Sequence, residues 1–376
     1  MGKENLKLRK RNEIIGKYPL TGLYVNPTRF CNLACRHCWL SPPQTDSLTA
    51  GSEELGAEEI IRLAEAALPL GLNNIKLTGG EPLLKNDIPE LLKYCCKKKI
   101  SVDIETNGTL ITDEMAKVFK KLSVRQISVS LDSADPELHD FFRNKKGAFD
   151  DTIRGIKALT KNSYSPQVIM SLYRENLKDF GDFLAFMKKL RISDIKINVI
   201  SLVGRGKKLK EKGGIPSIEE ILEFSKKIDR FSEDFKGSIF LDIPAAFKKL
   251  RVMEREGCKV CAILNILGIL SDGSVSFCGI GFMEEKLIFG NIRDKDFSLG
   301  NIWTGDPVLK KLRRDVPNNL GGVCAKCIFK KRCLGSCRAE VYHNSGNLTD
   351  AHWFCQEAYD KGYFPTTRIV PCKETV

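Results

Sequence analysis

Short apolar runs alternate with amphipathic segments through the first two-thirds of the chain. Six of these runs have the composition and length of β-strands, and the segments between them repeat apolar residues at helical spacing. The predicted strands are Leu23–Asn26, Asn74–Leu77, Val102–Glu105, Gln126–Leu131, Gln167–Leu172 and Asp194–Ile200. The predicted helices are Ala57–Leu68, Asp87–Cys96, Asp113–Leu122, Phe149–Leu159 and Asn176–Leu190.

Regular alternation of strands and helices predicts an α/β fold with a parallel sheet, because parallel neighbours need crossover connections. Six strand–helix units fit an incomplete (β/α) barrel or a doubly wound sheet. In both architectures the functional residues lie on loops at the carboxyl ends of the strands. We therefore expect the chemistry of this protein in the loops that follow the predicted strands.

The pattern changes after the sixth predicted strand. A lysine- and glycine-rich stretch, Gly204–Gly214, predicts a mobile connection, and a helix is predicted at Ile218–Ile228. From Cys258 onward the chain is rich in cysteine and glycine, which predicts a smaller domain whose core is organised by metal. The expected divisions are a basic extension (1–20), a strand–helix domain (21–235), a connecting segment (236–257), a cysteine-rich domain (258–360) and a tail (361–376).

Composition and length are those of a soluble globular protein. The chain has 376 residues with 42% hydrophobic and 28% charged residues, enough for a sizeable core. No apolar run approaches the length of a membrane span, and the Lys/Arg-rich start lacks the hydrophobic stretch of a signal peptide. We therefore expect a cytoplasmic protein with no membrane partner.

The formal charge of +13 raises the question of nucleic-acid binding. The lysines are spread widely and lack interleaved aromatic residues, so a solvated surface or attraction for an acidic peptide is favoured, with no nucleic-acid partner. Fourteen cysteines in a reducing compartment indicate metal ligands more than disulfides.

Three cysteines, Cys31, Cys35 and Cys38, lie on the loop after the first predicted strand. Three thiolates on one short loop can ligate three irons of a cubane iron–sulfur cluster and leave the fourth iron open. An open iron can bind a small molecule, so the loop predicts a site for chemistry. A zinc knuckle is the alternative, but zinc requires a fourth ligand, and only His37 is close.

Polar residues follow the next three predicted strands. Gly79 and Gly80 allow the backbone to approach a ligand closely, and Glu81 can accept a hydrogen bond from an ammonium group. The later loops add Thr106, Asn107, Ser130 and Asp132, with Arg143 on the next helical segment. Each loop alone could be an ordinary turn or a polar strand end. Because these loops follow successive strands, together they predict one pocket.

These motifs resemble those of the radical S-adenosylmethionine (radical SAM) superfamily. The resemblance implies a partial (β/α)6 TIM-like barrel with a [4Fe–4S] cluster on Cys31, Cys35 and Cys38. It also implies that the amine and carboxylate of S-adenosylmethionine chelate the open iron. One electron from the reduced cluster then cleaves the sulfonium and gives a 5′-deoxyadenosyl radical, which abstracts a hydrogen atom from the substrate.

The same resemblance assigns roles to the residues of the pocket. Gly79, Gly80 and Glu81 would meet the methionine amine, and Trp39 would pack beside the cluster. The residues expected near the rest of the cofactor are Thr106, Asn107, Ser130, Asp132, Arg143 and Val199. Two departures from the family pattern are Ser133, where many relatives have glycine, and a spacing to Arg143 that is one residue longer.

The spacing of the later cysteines resembles that of the SPASM domain, which follows many radical SAM barrels and binds auxiliary clusters. The family's interleaved pattern implies one [4Fe–4S] cluster on Cys258, Cys261, Cys278 and Cys337. It implies a second on Cys324, Cys327, Cys333 and Cys355. Seven of these positions match the SPASM pattern, and Cys258 is assigned as the eighth ligand. A pair of zinc ribbons is the alternative.

Radical SAM proteins with this second domain mostly modify peptides and proteins. Two auxiliary clusters suit a net oxidation, because the substrate radical must give up an electron. We therefore predict an oxidoreductase that modifies a ribosomally made peptide, a peptide maturase supplied with electrons by a flavodoxin or ferredoxin. About twenty residues precede the first strand, too few for a winged-helix module, so a separate protein or the basic surface would bind a leader peptide.

Three alternatives accompany this prediction. The first is a small-molecule reaction, such as trimming the side chains of a tetrapyrrole precursor. The second is formylglycine formation of the sulfatase-maturase type, for which Asp242 is the candidate base. The third, from outside the enzymes, is an iron–sulfur electron carrier or sensor. It is disfavoured because the residues of the S-adenosylmethionine pocket are intact.

Overall fold

The computed structural model describes residues 12–43, 54–258 and 260–370. Seven strands of this part run parallel and pair in the order of the sequence. They are β1 (Gly22–Val25), β2 (Asn74–Leu77), β3 (Ser101–Thr106), β4 (Gln126–Ser130), β5 (Gln167–Leu172), β6 (Asp194–Val199) and β7 (Ser238–Asp242). A doubly wound sheet would reverse its strand order at a switch point. Sequential pairing from β1 to β7 therefore favours the barrel-like arrangement, and the mixed α/β fold with a parallel sheet is confirmed.

The six predicted strands are confirmed, with ends that differ by at most one residue. β7 was not predicted: Ser238–Asp242 lies in the stretch 236–257 that was expected to be a connecting segment. The connections between strands hold the helices expected of a strand–helix repeat. The helices up to the seventh strand are α1 (12–17), α2 (Ala57–Ala67), α3 (Ile88–Lys98), α4 (Asp113–Lys121), α5 (Pro136–Arg143), α6 (Ala148–Lys161), α7 (Phe180–Lys189), α8 (Arg205–Glu211) and α9 (Ile218–Asp234).

One of these helices corrects the sequence prediction, and another makes it more precise. Gly204–Gly214 was predicted to be a mobile connection, but α8 forms within it. The backbone N–H of Arg205 donates to the Cys38 carbonyl at 3.0 Å, and Arg205 Nη1 donates to the Ala34 carbonyl at 2.9 Å. These bonds attach α8 to the cysteine loop. The helical segment expected to carry Arg143 was predicted without bounds, and the structure shows it as the short helix α5, which Asp135 begins with a side-chain cap on the Glu137 amide at 2.8 Å.

The sheet continues from β1 into the cysteine-rich part of the chain. β8 (Ile266–Ile269) pairs parallel with β1, so that Gly22 lies opposite Ile266. β9 (Ser274–Ser276) and β10 (Ile288–Asn291) extend this side as antiparallel strands. The remaining helices are α10 (Leu250–Glu256), α11 (Leu299–Gly305), α12 (Pro307–Asp315), α13 (Gly322–Lys326), α14 (Lys330–Cys333), α15 (Arg338–Ser345) and α16 (Trp353–Asp360).

A single apolar core joins the two parts. One cluster of buried side chains begins at Leu20, passes through the faces between strands and helices, and includes Trp303 and Phe354. Sharing a core fixes the cysteine-rich part against the strand ends, where the cavity described below lies. None of the helices in the described ranges combines the length and the apolar character that a membrane crossing requires.

Alternation along the strands sorts apolar residues from polar ones. Ile75, Leu77 and Ile104 are fully buried in the apolar core. The alternate positions carry charged side chains: Lys76 Nζ lies 2.6 Å from Glu105 Oε1, and Lys196 Nζ lies 3.4 Å from Asp242 Oδ2. The second face of the sheet is therefore polar, and it leads to the carboxyl ends of the strands.

Candidate active site

A cavity of about 420 Å³ lies at the carboxyl ends of the parallel strands. Most of the residues predicted from separate loops line it. They are Cys31, Cys35, Cys38, Gly79, Gly80, Glu81, Thr106, Asn107, Ser130, Arg143, Val199 and Asp242. The cysteine-rich part closes the opposite wall with Ser336, Cys337, Glu340, His352, Trp353 and Phe354. The cavity thus lies between the two parts of the chain.

The cysteine loop after β1 holds three thiols close together. Burial, Glu81 and the two other cysteines raise the pKa of Cys31 to about 12. Protein N–H groups already point at the sulfurs: the Leu33 amide lies 3.4 Å from Cys31 Sγ, and Arg143 Nη1 lies 3.6 Å from Cys35 Sγ. Bound iron stabilises thiolates directly, and hydrogen bonds to sulfur tune such clusters. The loop therefore fits the iron–sulfur cluster better than three unrelated thiols.

The two glycines after β2 bring that loop against the cysteine loop. A Cβ atom on Gly80 would lie 1.9 Å from the Phe30 carbonyl oxygen, which is far inside contact distance. Gly79 has φ +111°, and a Cβ there would lie 2.8 Å from Asn26 Cβ. The sequence suggested close approach to a ligand. The structure shows close approach to the start of the cysteine loop, at Asn26 and Phe30.

Glu81 is buried beside the cavity, and its carboxylate ties two loops together. It accepts hydrogen bonds from the Thr106 hydroxyl at 2.7 Å, the Asn107 amide at 2.8 Å and the Leu83 amide at 3.1 Å. Burial raises the pKa of Glu81 to about 7, although these three donors oppose the rise. Glu81 thus holds the loops after β2 and β3 in register beside the cysteines.

Asp132 lies outside the cavity lining and reaches it through Arg143. The Asp132 carboxylate is fully buried, accepts from the Ser171 amide at 2.9 Å and lies 2.7 Å from Arg143 Nε. Arg143 in turn reaches Cys35. Burial raises the pKa of Asp132, and the Arg143 guanidinium opposes the rise. Asp132 therefore positions Arg143, and Arg143 faces the sulfur and the cavity.

A line of charges leads along the sheet to the cavity floor, and the sequence analysis named only one of its members, Asp242, as a site residue. It runs from Lys76 through Glu105 and Lys196 to Asp242, on strands β2, β3, β6 and β7. Burial would raise the pKa of Glu105, but Lys76, Lys196 and the Thr78 hydroxyl together outweigh it and the pKa is lowered. A strand register was needed to see that these residues alternate in sign across the floor.

Two further groups of cysteines lie in the second part of the chain. Cys261, Cys278 and Cys337 are close enough that each raises the pKa of one of the others, and burial raises the pKa of Cys278 to about 12. A second group lines one small cavity and consists of Cys324, Cys327, Cys333 and Cys355. Four cysteines around one small cavity can each bind a different iron of a cubane cluster.

Cys258 lies beside the second of these groups. Its Sγ is 3.8 Å from Met253 Sδ, and the side chain packs in an apolar cluster with Cys327, Cys333 and Cys355. The family pattern placed Cys258 with Cys261, Cys278 and Cys337 instead. Its assignment as the eighth ligand stays a prediction.

Arg338 is a functional residue that the sequence analysis missed. The guanidinium is fully buried and donates to the Leu348 carbonyl at 3.0 Å and the Asp350 carbonyl at 2.9 Å. Burial lowers the pKa of Arg338, while the nearby cysteines oppose that change, with Cys324 the strongest. A fixed cation among thiolates offsets the negative charge that cluster ligation creates.

Glu340 is the second missed residue, and it joins the two parts of the chain. It accepts from the Leu202 amide at 2.7 Å, from Trp353 Nε1 at 3.1 Å and from His352 Nε2 at 3.2 Å. Burial would raise the pKa of Glu340, but the hydrogen bond with His352 contributes to lowering it. Its contact with Leu202 spans 138 residues of sequence, so no local pattern could indicate it.

Comparison with known proteins agrees with this arrangement. The family model of the Radical SAM superfamily matches residues 25–187, and the SPASM model, an iron–sulfur cluster-binding domain, matches residues 258–328. An AdoMet-dependent heme synthase of Methanosarcina barkeri is 29% identical over 342 residues, 87% of this chain and 94% of the relative. The subtilosin biosynthesis protein AlbA of Bacillus subtilis is 27% identical over 327 residues, 82% of this chain and 65% of AlbA.

Solved structures show the same fold. Streptococcus suis SuiB, in complex with its precursor peptide SuiA, matches with a TM-score of 0.70 at 17% identity, over 93% of this chain and 80% of SuiB. Radical SAM proteins use S-adenosylmethionine and a [4Fe–4S] cluster, and SPASM domains bind further clusters. The fold, the two matched domains and the grouped cysteines agree: the chain is an enzyme with a radical SAM domain followed by a C-terminal SPASM domain.

Proposed function

We propose that this enzyme oxidatively modifies a ribosomally made peptide. Cys31, Cys35 and Cys38 would hold the cluster that, with S-adenosylmethionine at its open iron, supplies the 5′-deoxyadenosyl radical. The SPASM cysteines would hold auxiliary clusters that take up the electron released in a net oxidation. These assignments follow the grouping of the sulfurs around the cavity and in the second part of the chain.

The proposal that the substrate is a peptide rests on a groove beside β7. β7 is an edge strand of the sheet in the described part of the chain, paired with β6. Its residues Ile239–Leu241 form one wall of a groove of about 920 Å³. Asp242 and Pro244, at the end of the same strand, line the central cavity. An extended peptide could lie along the edge of β7 and pass one residue into the cavity.

The opposite walls of this groove suit a peptide chain. Helix α9 contributes Leu222 and Ile228, and the C-terminal segment contributes Tyr363, which is nearly half exposed. Charges of both signs stand at the rim, for example Lys249 with Asp229 at 2.6 Å. An apolar floor with a mixed polar rim is the usual composition of a recognition surface.

Within the cavity, the residues of this chain have separable tasks. Arg143 would hold the cysteine loop and an anionic group of the cofactor, and the buried Glu81 network would keep both neighbouring loops in place. Asp242 would accept the proton that a net oxidation releases, because its carboxylate lines the cavity and remains partly exposed. Lys196, 3.4 Å away, orients that carboxylate.

The test is coexpression with a short reading frame that neighbours the gene. Mass spectrometry of the recovered peptide should show a loss of about two hydrogens per modification, as a net two-electron oxidation requires. A Cys35→Ala variant, which lacks one cluster ligand, should leave the peptide unchanged. Asp242→Asn should form 5′-deoxyadenosine at a normal rate with at least about tenfold less product. An unmodified peptide beside active cleavage of S-adenosylmethionine would contradict the peptide assignment.

The second candidate is side-chain oxidation of a tetrapyrrole. The observation that favours it is the similarity to proteins named AdoMet-dependent heme synthase and Fe-coproporphyrin III synthase, at 29% and 28% identity over more than four-fifths of this chain. Anaerobic incubation with iron coproporphyrin, S-adenosylmethionine and reductant tests it. Loss of carboxyl groups from the porphyrin, matched by 5′-deoxyadenosine, would establish this function in place of peptide oxidation.

A further inference from the structure

An exposed aromatic and basic patch lies directly on the cysteine loop. We name it the loop patch, and it consists of Arg36, Phe141, Lys145 and Lys146. Arg36 is the residue between Cys35 and His37 in the loop. Its guanidinium carbon lies 3.9 Å from the centre of the Phe141 ring, and its Nε donates to the Phe141 carbonyl at 2.8 Å.

Phe141 faces solvent while its neighbour on α5 is buried. Phe141 is 54% exposed, the largest value among large apolar side chains in the described ranges. Phe142 is buried and stacks on His37 at 4.7 Å and on Tyr173 at 3.9 Å. A single exposed aromatic ring is common on protein surfaces. This ring differs because the side chain stacked on it belongs to the loop that carries the cluster ligands.

The patch is joined to the cysteine sulfurs by short connections. Arg36 follows Cys35 directly in the chain. Two residues after Phe141, on the same helix, Arg143 Nη1 lies 3.6 Å from Cys35 Sγ. Lys145 Nζ donates to the Asn32 carbonyl at 3.3 Å, within the same loop. An electron that arrives at the loop patch therefore enters next to a cluster ligand, with no intervening domain.

The charge of the loop patch is positive. Arg36 and Lys146 are exposed, and Lys145 is half-buried. The carboxylate of Asp140 is turned into the chain, where it accepts from the Phe149 amide at 2.8 Å and the Gly147 amide. Glu137, one turn earlier on α5, is exposed beyond the patch. Such a surface attracts an acidic protein and accelerates its encounter.

We propose that the loop patch is the docking surface for an acidic protein that carries single electrons. The inference rests on the proposed function, because the cluster on Cys31, Cys35 and Cys38 must receive one electron before each cleavage of S-adenosylmethionine. In this step the carrier is oxidised by one electron, the cluster is reduced by the same electron, and no bond forms or breaks. A small patch suffices, since electron-transfer complexes are transient and have small interfaces.

The experiment compares a protein donor with a chemical one. Flavodoxin hydroquinone and dithionite are each mixed anaerobically with the holoenzyme, and the loss of cluster absorbance is followed by stopped flow. Lys146→Glu should slow reduction by flavodoxin about fivefold or more at low ionic strength, and added salt should shrink the difference. Reduction by dithionite and the yield of 5′-deoxyadenosine with dithionite should stay at the wild-type level.

Two further variants complete the test. Phe141→Ala removes an exposed ring, and we expect it to slow cluster reduction by flavodoxin at all salt concentrations. Lys97→Glu is the matched control: this exposed lysine lies at the end of α3, at the amino end of β3 and opposite the cysteine loop. The rate of cluster reduction by flavodoxin and by dithionite should be the same in this variant as in the wild type.

The outcomes separate the two proposals. If flavodoxin reduces the clusters of Lys146→Glu and Phe141→Ala as fast as that of Lys97→Glu, the docking surface is not the loop patch. If flavodoxin fails to reduce a wild-type enzyme that dithionite reduces, the inference is also wrong. If no reductant yields 5′-deoxyadenosine from the wild type, the proposed function itself fails.

Discussion

Arg143 and Cys35 are joined by a hydrogen bond of 3.6 Å, and the same guanidinium is paired at 2.7 Å with the buried carboxylate of Asp132. One side chain thus connects the end of β4, through Asp132, to a cysteine of the loop after β1. All three groups are almost completely buried. The position of the cysteine loop consequently depends on an ion pair whose carboxylate lies outside the cavity lining.

Arg143→Met should destabilise the protein, because it leaves the Asp132 carboxylate buried without its partner. Removing one member of a buried pair costs about 3–5 kcal/mol in the free energy of unfolding. Anaerobic denaturant titration measures this loss, and iron analysis should show a depleted first cluster. The double variant Arg143→Met with Asp132→Leu should recover much of the stability, yet remain low in iron. A single variant as stable as the wild type would contradict the pairing.

Gly80→Ala should displace the cysteine loop, because the new Cβ would collide with the Phe30 carbonyl at 1.9 Å. Overpacking against fixed backbone costs about 1–3 kcal/mol or more. We expect a lower melting temperature and less than half of the wild-type iron at the first cluster. Gly16→Ala is the control, since a Cβ there has no neighbour within 4 Å. Full iron content in Gly80→Ala would show that the loop after β2 can move away from the cysteine loop without loss of the first cluster.

The strands and most helices could be predicted because local periodicity determines them. Six strands were found from runs of apolar residues, and the cavity was anticipated because parallel strands bring successive loops together. α8 was missed because its stability comes from contact with the cysteine loop, where Gly204 packs against the Trp39 backbone. Its seven residues are too few to form a stable helix without such contacts.

The network behind the ligands could not be predicted for a similar reason. Asp132 was expected beside the cofactor, but a motif does not indicate the direction of a side chain. Burial and the pairing with Arg143 decide that direction, and both are tertiary properties. The bonds of Glu340 to Leu202 and of Thr106 to Glu81 likewise join residues far apart in sequence.

The pH dependence of stability should carry the signature of Glu81. Burial raises its folded-state pKa to about 7, above the ordinary value of 4.5, so the folded protein binds this proton more tightly than the unfolded chain. Protonated Glu81 therefore stabilises the folded protein at low pH. As the pH rises from about 4.5 to 7 this contribution is lost, and the free energy of unfolding falls by about 3 kcal/mol in total. Denaturant titrations of the cluster-free protein across this range measure the slope.

The Glu81→Gln variant isolates this contribution. Glutamine cannot ionise, so the slope between pH 4.5 and 7 should become flatter by the amount that Glu81 contributes. Absolute stability will fall at all pH values, because glutamine has one acceptor oxygen: if it accepts from Thr106 and Leu83, the NH2 group faces the Asn107 amide and cannot accept from it. The slope is therefore the readout. An unchanged slope would mean that Glu81 keeps an ordinary pKa in the folded protein.

Glu340→Ala should loosen the attachment of the SPASM part to the barrel. The substitution leaves the Leu202 amide and Trp353 Nε1 buried without their acceptor, and each lost partner costs about 1–3 kcal/mol. We expect lower stability and faster proteolysis within Gly204–Gly214, beside Leu202. Glu357→Ala, which removes only exposed pairs with Lys210 and Lys361, is the control and should change stability by less than about 1 kcal/mol. Equal proteolysis of both variants would show that the shared apolar core alone holds the two parts together, whereas faster cleavage of Glu340→Ala alone would identify this carboxylate as the polar joint between them.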